Sequence, residues 1–382
     1  MAVSWRTDFP GGNGLLLAAD ESPRRPVLRF AAEPKNCPQA LWFHFRAAGL
    51  AGRGARVVLA NPAQTLGGED WSGNCLVFRT PKGPWLRTAR PQRLATPGGR
   101  TEWAWDIDVA GGTIEVAHCF PYQPADLEAT LAELGGAFKS EFIGLTLAGR
   151  SMTRLYSRPP AASRPAVLLT ARHHAGEVPG SWVLDGLLRH VAATSALRAI
   201  SWHAIPFVDL DDVIAGSYGK DPFPHDCNRA YGPSGPFRPE GGAVEGEARR
   251  LKASAARLFF ADLHAPGHGE RANYVPTRGW EPASPINPIA FQFAERFCDA
   301  TPEDIRSPIA FVTPRPGTNT RYRGMPSSRW AGTVLKVDAV SLEFSYQGNE
   351  QKDYTIDDYR RLGAALAETI AGWIGGGPER RE

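Results

Sequence analysis

The second half of the sequence alternates apolar runs of strand length with segments of helical spacing, and this alternation limits the possible folds more than any other feature. The run 166–170 (AVLLT) is nearly all apolar, and the segment 181–194 after it places apolar residues on one helical face. Strands that alternate with helices indicate an α/β/α layer around a mixed, largely parallel sheet. The other elements of this half are predicted as strands at 199–208, 258–263 and 339–344 and as helices at 246–256 and 356–373.

The first hundred or so residues have a different pattern, with short aromatic or alternating segments separated by Gly-Pro, Gly-Gly and Asn-Pro breaks. The 40 Gly and 33 Pro of the chain are an excess that fits many turns. Short strands with such punctuation are typical of an antiparallel β-sandwich. The strands are predicted at 27–30, 41–45, 56–60, 75–79, 102–106 and 113–117.

These two patterns predict two domains in a chain of 382 residues. The N-terminal antiparallel β-sandwich is assigned to 1–120 and the α/β/α domain with the mixed, largely parallel sheet to 121–374. The boundary lies at the aromatic segment 120–122, because the sequence becomes helical from Ala125 onward. We expect the tail, 375–382, to be flexible.

Charge and cysteine usage exclude several classes of protein. A net charge of +3 is too small to indicate a nucleic-acid or membrane-surface partner. The five widely spaced cysteines contain no CxxC pair, which argues against a disulfide framework and against a thiolate zinc site. With no apolar segment near the N-terminus, the expected location is the cytoplasm. The oligomeric state is not predicted.

The most informative polar stretch follows the predicted strand 166–170 and contains His174 and Glu177. Ligand sites of α/β sheets form at the carboxyl ends of strands, so both side chains can turn toward one point. Two His and one Glu form a known ligand set of catalytic zinc, which leaves one position for water. The alternative is a polar turn with a surface His and Glu.

A second histidine in the same context strengthens the zinc hypothesis. His264 follows the predicted strand 258–263 and would meet His174 and Glu177 at the sheet edge. It could instead be a turn residue at the strand end. His268 lies further into the Gly/Pro loop and is a weaker candidate for the same ligand position.

Two further motifs supply groups for binding and proton transfer. Arg229 beside Asn228 offers a guanidinium fork and an amide suited to a carboxylate, and Asp226 could accept from the outer nitrogen of a ligand His. Glu343, flanked by Leu and Phe on a predicted strand, suits a partly desolvated general base. The alternatives are a surface Asp–Arg pair and an edge-strand Glu that points to solvent.

The order of these motifs resembles that of the zinc metallocarboxypeptidases, and the bacterial and cytosolic carboxypeptidase branch fits best. The segment 174–177 (HAGE) resembles the HPGE motif of that branch, with Ala175 in place of Pro. The segments 41–45, 61–62 and 120–122 resemble its N-terminal β-domain and the aromatic junction that follows, so the resemblance covers nearly the whole chain.

This resemblance implies one zinc ion per chain on His174, Glu177 and His264, in an enzyme that removes the C-terminal residue of a peptide or protein tail. The metal would polarise the scissile carbonyl and acidify a water molecule. By the same resemblance, the remaining roles are general base for Glu343, terminal-carboxylate binding for Asn228 and Arg229, and outer partner of His174 for Asp226.

The sequence departs from the family pattern near the expected oxyanion site. The family supplies an Arg about ten residues before its Asn-Arg pair, whereas here Lys220 is the nearest cation and is either its substitute or a solvated lysine. Tyr322 is, by position alone, the candidate for the Tyr of the loop before the base strand. The neighbouring arginines would favour an acidic terminal residue or are surface charges: Arg321, Arg323 and Arg329.

Two other functions stay open at this stage. One is a zinc amidohydrolase that acts on small acylated amino acids or on peptidoglycan-derived peptides, since such relatives share HxxE and a later His. The other is a non-catalytic binding protein, which only the missing oxyanion Arg supports.

Overall fold

The computed structural model describes residues 3–20, 25–50, 54–108, 111–277, 286–307, 322 and 324–376, and their strands form three sheets. Two five-stranded sheets make up the N-terminal part, in the orders β1-β4-β10-β6-β7 and β2-β3-β5-β9-β8. Their strands are β1 Ser4–Arg6, β2 Leu15–Asp20, β3 Val27–Ala31, β4 His44–Ala48, β5 Ala55–Leu59, β6 Val77–Arg79, β7 Leu86–Arg87, β8 Gln92–Ala95, β9 Thr101–Ile107 and β10 Thr113–Ala117.

These two sheets pack through aromatic side chains. The ring of Phe30 on β3 lies 4.9 Å from that of Phe45 on β4, and both rings are fully buried. All pairings are antiparallel except β3 with β5, which is parallel. The strand predicted at 41–45 begins at His44 in the structure.

The third sheet has six strands in the order β11-β12-β14-β13-β15-β16, of which the last four are mutually parallel. Its strands are β11 Lys139–Leu145, β12 Ser151–Tyr156, β13 Ala166–Ala171, β14 Ser201–Ile205, β15 Leu258–His264 and β16 Asp338–Glu343. The helices are α1 Pro124–Glu133, α2 Pro179–Ala193, α3 Leu210–Ala215, α4 Pro239–Ser254, α5 Pro288–Ala300, α6 Ser327–Thr333 and α7 Ile356–Gly376.

Helices cover both faces of this sheet, which explains the nearly continuous apolar runs of its central strands. Along β13, Val167 and Leu169 face the core that contains α2, α5 and α7. Leu168, between them, faces a second core with α4 and α6. The predicted mixed α/β fold with an N-terminal β part is therefore confirmed.

The hairpin β11–β12 and helix α5 were not predicted. The residues of β11 are mostly exposed, and the strand bulges between Phe142 and Gly144, so it shows no clean alternation. Helix α5 begins with signals that the sequence does carry, because the Asn287 side chain accepts from the Ile289 N–H and Pro288 follows directly.

The predicted boundary at residue 120 lies between the end of β10 and the start of α1, and it stays a prediction. Helix α7 continues through Gly376, two residues into the predicted tail, and 377–382 lie outside the described residues. None of the helices in the described part of the chain has the length and apolar character needed to cross a membrane.

A buried carboxylate in the N-terminal part gives a pH-dependent stability prediction. Glu115 on β10 accepts from Arg46 and Arg79 at 3.1 Å and lies 2.7 Å from His44 Nε2. Burial alone raises the pKa of Glu115, but His44 and the two arginines lower it to about 2. A lowered pKa means that this stabilisation is complete above the ordinary value of 4.5 and is lost as pH falls toward 2.

We therefore expect Glu115→Gln to lower the free energy of unfolding by about 2 kcal/mol at pH 7 and by much less at pH 3. Urea unfolding at the two pH values measures this difference. Glu128→Gln, at an exposed position of α1, is the control. An equal loss at both pH values would contradict the assignment.

Candidate metal centre

The candidate site lies at the carboxyl ends of β13 and β15, which are parallel neighbours with Ala171 opposite Leu263. The chain leaves β13 through Arg172, whose φ of +62° turns the backbone toward the sheet edge. The buried Arg172 guanidinium holds this turn by donating to the carbonyls of Ala175 at 2.6 Å and Tyr122 at 2.9 Å. The loop that carries His174 is therefore rigidly built.

Glu177 lies between two histidine rings at the centre of the site. Its Oε1 is 2.8 Å from His174 Nδ1, and its Oε2 is 2.6 Å from His264 Nδ1. All three side chains are buried, and they offer one ligand atom each within 4.8 Å of one another. The structure thus brings together the three residues predicted as metal ligands.

A carboxylate contacts the outer nitrogen of each ring. His264 Nε2 lies 2.7 Å from Asp262 Oδ2, and His174 Nε2 lies 3.5 Å from Asp226 Oδ2. An outer carboxylate favours a proton on Nε2, which leaves the Nδ1 lone pair directed at Glu177. Two lone pairs that face a buried carboxylate require either protons or a cation between them.

The electrostatics of the group show the same requirement. Burial alone lowers the pKa of His264, but the negative charges of Asp262 and Glu177 raise it well above its ordinary value. Burial raises the pKa of Glu177, but the positive charges of His174 and His264 lower it well below its ordinary value. Two imidazole nitrogens and one carboxylate are a donor set that suits zinc, so the residues present fit such an ion.

Asp262 is an outer partner to which the sequence analysis gave no role. Its Oδ1 accepts from Thr170 at 2.8 Å and lies 2.7 Å from His173 Nδ1, and its Oδ2 accepts from Ser327 at 2.6 Å. His173, Asp262 and His264 could also group around an ion, but Asp262 already contacts both rings. Its position two residues before His264 was the only sequence signal for this residue.

Glu343 ends β16 directly beside His264, its register partner on β15. Its backbone also pairs with Tyr274, with N–H to carbonyl distances of 2.8 and 3.0 Å. Burial and the negative charge of Glu177 raise the pKa of Glu343 to about 7, against the opposing charges of His264 and Lys220. A carboxyl group with this pKa can both accept and return a proton near neutral pH.

The other predicted binding residues lie on a short 3-10 helix, Cys227–Arg229, which Asp226 caps by accepting from the Asn228 N–H at 2.7 Å. The side chain of Arg229 is buried, and its Nη1 donates to the Asn228 carbonyl at 2.9 Å. The backbone at Gly324 packs directly against this 3-10 helix, since a Cβ at position 324 would lie 1.6 Å from the Arg229 carbonyl oxygen.

The contacts of Asn228 differ from the predicted ones. Its Nδ2 lies 3.0 Å from His264 Nε2, and its Oδ1 accepts from the Ser327 N–H at 3.0 Å. The amide is thus engaged with the protein frame around His264 because the 3-10 helix directs it inward. The predicted role of Asn228 in binding a substrate carboxylate stays a prediction.

The sequence candidates Tyr322 and His268 contact residues outside the cluster of His174, Glu177 and His264. The Tyr322 hydroxyl donates to the Pro222 carbonyl, and its ring lies 4.2 Å from that of His225. The His268 ring stacks on Trp71 at 4.4 Å, and its Nδ1 lies 3.0 Å from Asn74 Nδ2. The loop therefore carries His268 to the N-terminal sheets, and His264 alone of the two joins the cluster.

The structure describes two of the predicted cations, Lys220 and Arg329. Lys220 is half-buried, and its charge lowers the pKa of Glu343, which puts it within electrostatic reach of the base. Arg329 is exposed on α6, while Arg321 and Arg323 lie outside the described residues. Tyr218, which was not predicted, places its hydroxyl 3.4 Å from Glu177 Oε1.

Known proteins share both sequence and fold with this chain, although no family model matches it. Cytosolic carboxypeptidase 2 of Danio rerio is 27% identical over 191 residues, which are 45% of this chain and 26% of that protein. Cytosolic carboxypeptidase 2 of Mus musculus is 35% identical over 146 residues, or 34% and 17% of the two chains. The match thus spans about a quarter of the length of these relatives or less.

The solved structures extend the likeness to nearly the full chain. A metallo-carboxypeptidase from Burkholderia cenocepacia superposes with a TM-score of 0.79 at 21% identity and covers 98% of this chain and 99% of its own. The metallo-carboxypeptidase from Pseudomonas aeruginosa gives 0.77 at 19% identity, with 97% and 99% covered. The fold is therefore that of the metallo-carboxypeptidases, with their N-terminal β part. The sequence relatives, which match over part of their length, are cytosolic carboxypeptidases, and this likeness agrees with the family that the motifs resemble.

Asp262 gives a test of the centre that does not depend on activity. We expect Asp262→Asn to weaken Zn²⁺ binding by about 10- to 100-fold, because the neutral amide has only one acceptor oxygen and cannot orient the rings of His173 and His264 together. Competition with a chromogenic chelator measures the affinity. Asp338→Asn, which removes a carboxylate at the opposite end of the neighbouring strand β16, should bind Zn²⁺ as the wild type does. Unchanged affinity in Asp262→Asn would contradict its orienting role.

Proposed function

We propose that the chain is a zinc-dependent carboxypeptidase that hydrolyses the C-terminal peptide bond of peptides or protein tails. The observation that carries this proposal is the buried Glu177 carboxylate between the Nδ1 atoms of His174 and His264. The names of the related proteins support the same reaction class. His174, Glu177 and His264 would hold one zinc ion per chain, which supplies Lewis-acid chemistry to polarise a carbonyl and acidify water.

Glu343 is the proposed general base. Its position beside His264 and its pKa of about 7 support a role in which it takes a proton from the attacking water. The same carboxyl group then returns the proton to the amine of the departing residue. Only its deprotonated form can start this cycle.

Arg229 is the proposed partner of the substrate's terminal carboxylate. Its side chain is buried, and two residues further on the Tyr231 carbonyl accepts from the Met325 N–H at 2.8 Å. This fixed backbone preorganises a fork that suits a planar carboxylate. Lys220 is the proposed cation for the developing negative charge on the scissile carbonyl, since its charge already acts on Glu343.

Replacement of the base separates metal binding from catalysis. Glu343→Gln should retain one Zn²⁺ per chain and lose about 10²- to 10⁴-fold in kcat on C-terminal peptides, because the amide cannot accept the proton. Metal analysis and peptide hydrolysis are measured on the same preparation. Glu350→Gln, at an exposed position beyond β16, should keep full activity. Zinc-loaded wild-type protein that cleaves no peptide with a free C-terminus would refute the proposed reaction.

Replacement of the proposed carboxylate partner tests the exopeptidase specificity. Arg229→Met should raise KM about 10- to 100-fold for peptides with a free C-terminus, because a charge-assisted bidentate contact is lost. The wild type should discriminate strongly against C-terminally amidated peptides, and the variant should not. Arg198→Met, at an exposed arginine, serves as the control. If the variant retained the discrimination, another residue would have to bind the carboxylate.

A further inference from the structure

Residues 214–223, here called the active-site segment, connect the end of α3 to the loop before Asp226 with little regular structure. Gly216 and Gly219 adopt φ values of +70° and +78°, and Asp221 adopts +50°. Such a stretch has few backbone hydrogen bonds of its own and needs partners to hold one conformation. The segment carries both Tyr218 and Lys220, so its conformation matters at the metal centre.

Its partners come from the N-terminal sheets, from the loop of residues 32–43 between β3 and β4 (the β3–β4 loop). Asn36 Nδ2 donates to Asp212 Oδ1 at 2.8 Å, while Asn36 Oδ1 accepts from the Ser217 hydroxyl at 2.6 Å. The Phe223 N–H donates to the Asn36 carbonyl at 3.2 Å. Asn36 thus bonds to α3 and to two positions of the segment, Ser217 and Phe223.

The neighbours of Asn36 bond to the rest of the segment. Cys37 Sγ accepts from the Gly219 N–H at 3.1 Å and lies 3.1 Å from the Ser217 hydroxyl. The Lys35 ammonium group donates to the Ala215 carbonyl, which the end of α3 leaves without a helical partner. Asn13, before β2, donates to the Gly216 carbonyl at 2.7 Å.

The opposite side of the segment touches the metal centre. The Gly176 N–H donates to the Tyr218 carbonyl at 2.8 Å, and a Cβ on Gly176 would lie 2.3 Å from the Tyr218 ring. The Tyr218 hydroxyl lies 3.4 Å from Glu177 Oε1. With packing this close, a shift of the segment would displace Tyr218 from Glu177 and Lys220 from Glu343.

We propose that the β3–β4 loop positions the active-site segment for catalysis, with Asn36 as its central positioning residue. The N-terminal sheets would then be a working part of the active site, because they supply the contacts that hold Tyr218 and Lys220. The expected effect on catalysis rests on the proposed function. The claim that the β3–β4 loop fixes the conformation of the segment rests only on the hydrogen bonds between the two.

The test compares Asn36→Ala with Asn74→Ala in the full, zinc-loaded chain. Asn74 is a matched control, because it is a buried asparagine of the N-terminal part that contacts the catalytic part elsewhere, at His268. Hydrogen–deuterium exchange of peptides that cover 214–223 should become roughly tenfold faster in Asn36→Ala and should not change in Asn74→Ala. Ser217→Ala, which removes only one hydroxyl donor to Asn36, should give a smaller increase and serves if Asn36→Ala does not fold.

The kinetic part uses a C-terminal peptide and a double-mutant cycle. Asn36→Ala should lower kcat about tenfold with little change in zinc affinity. In a Lys220→Met background the same substitution should lower kcat much less, because both changes act through Lys220. Unchanged exchange of 214–223 in Asn36→Ala would overturn the proposal. So would equal losses of activity in Asn36→Ala and Asn74→Ala. If the wild type cleaves no peptide while exchange responds as expected, the hold on the segment stands and the proposed reaction fails.

Discussion

The rest of the structure depends on a buried carboxylate that is shared by two imidazoles. Removing Glu177 from water costs several kcal/mol unless positive charge lies beside it. His174 and His264 supply that charge when they are protonated, or they hold a cation that supplies it, and both rings are oriented by outer carboxylates. Binding of a cation at this site would therefore be coupled to folding, because the energy of the ion would offset the cost of burying this group.

The positions of the ligands were predictable from the sequence because they follow from burial. Strands β13 and β15 are covered on both faces, so they read as apolar runs, and the first polar residues after them lie at one edge of the sheet. His264 and the loop with His174 are these residues. The resemblance of the HAGE segment to a known family added the expected metal, and the solved structures share the fold of this chain.

The rest of the site could not be predicted because it depends on contacts between residues that are far apart along the chain. Asp262 is satisfied by Thr170, His173 and Ser327, which are far apart along the chain and meet only after the sheet forms. Asn228 turns inward because Ser327 offers a backbone N–H, which no local pattern shows. Strand β11 escaped prediction for the opposite reason, since an exposed, bulged edge strand has too little apolar pattern to be recognised.

The pairing of His264 with Glu343 has a consequence for how such a protein can change over time. These two residues are adjacent only because β15 and β16 run parallel in one register, while the chain between them is more than seventy residues long. Insertions and deletions within that connection leave the distance between His264 and Glu343 unaltered as long as the register survives. Only those parts of the connection that do not contact the site or the core are therefore free to diversify, whereas a one-residue slip of β16 would turn Glu343 to the opposite face of the sheet.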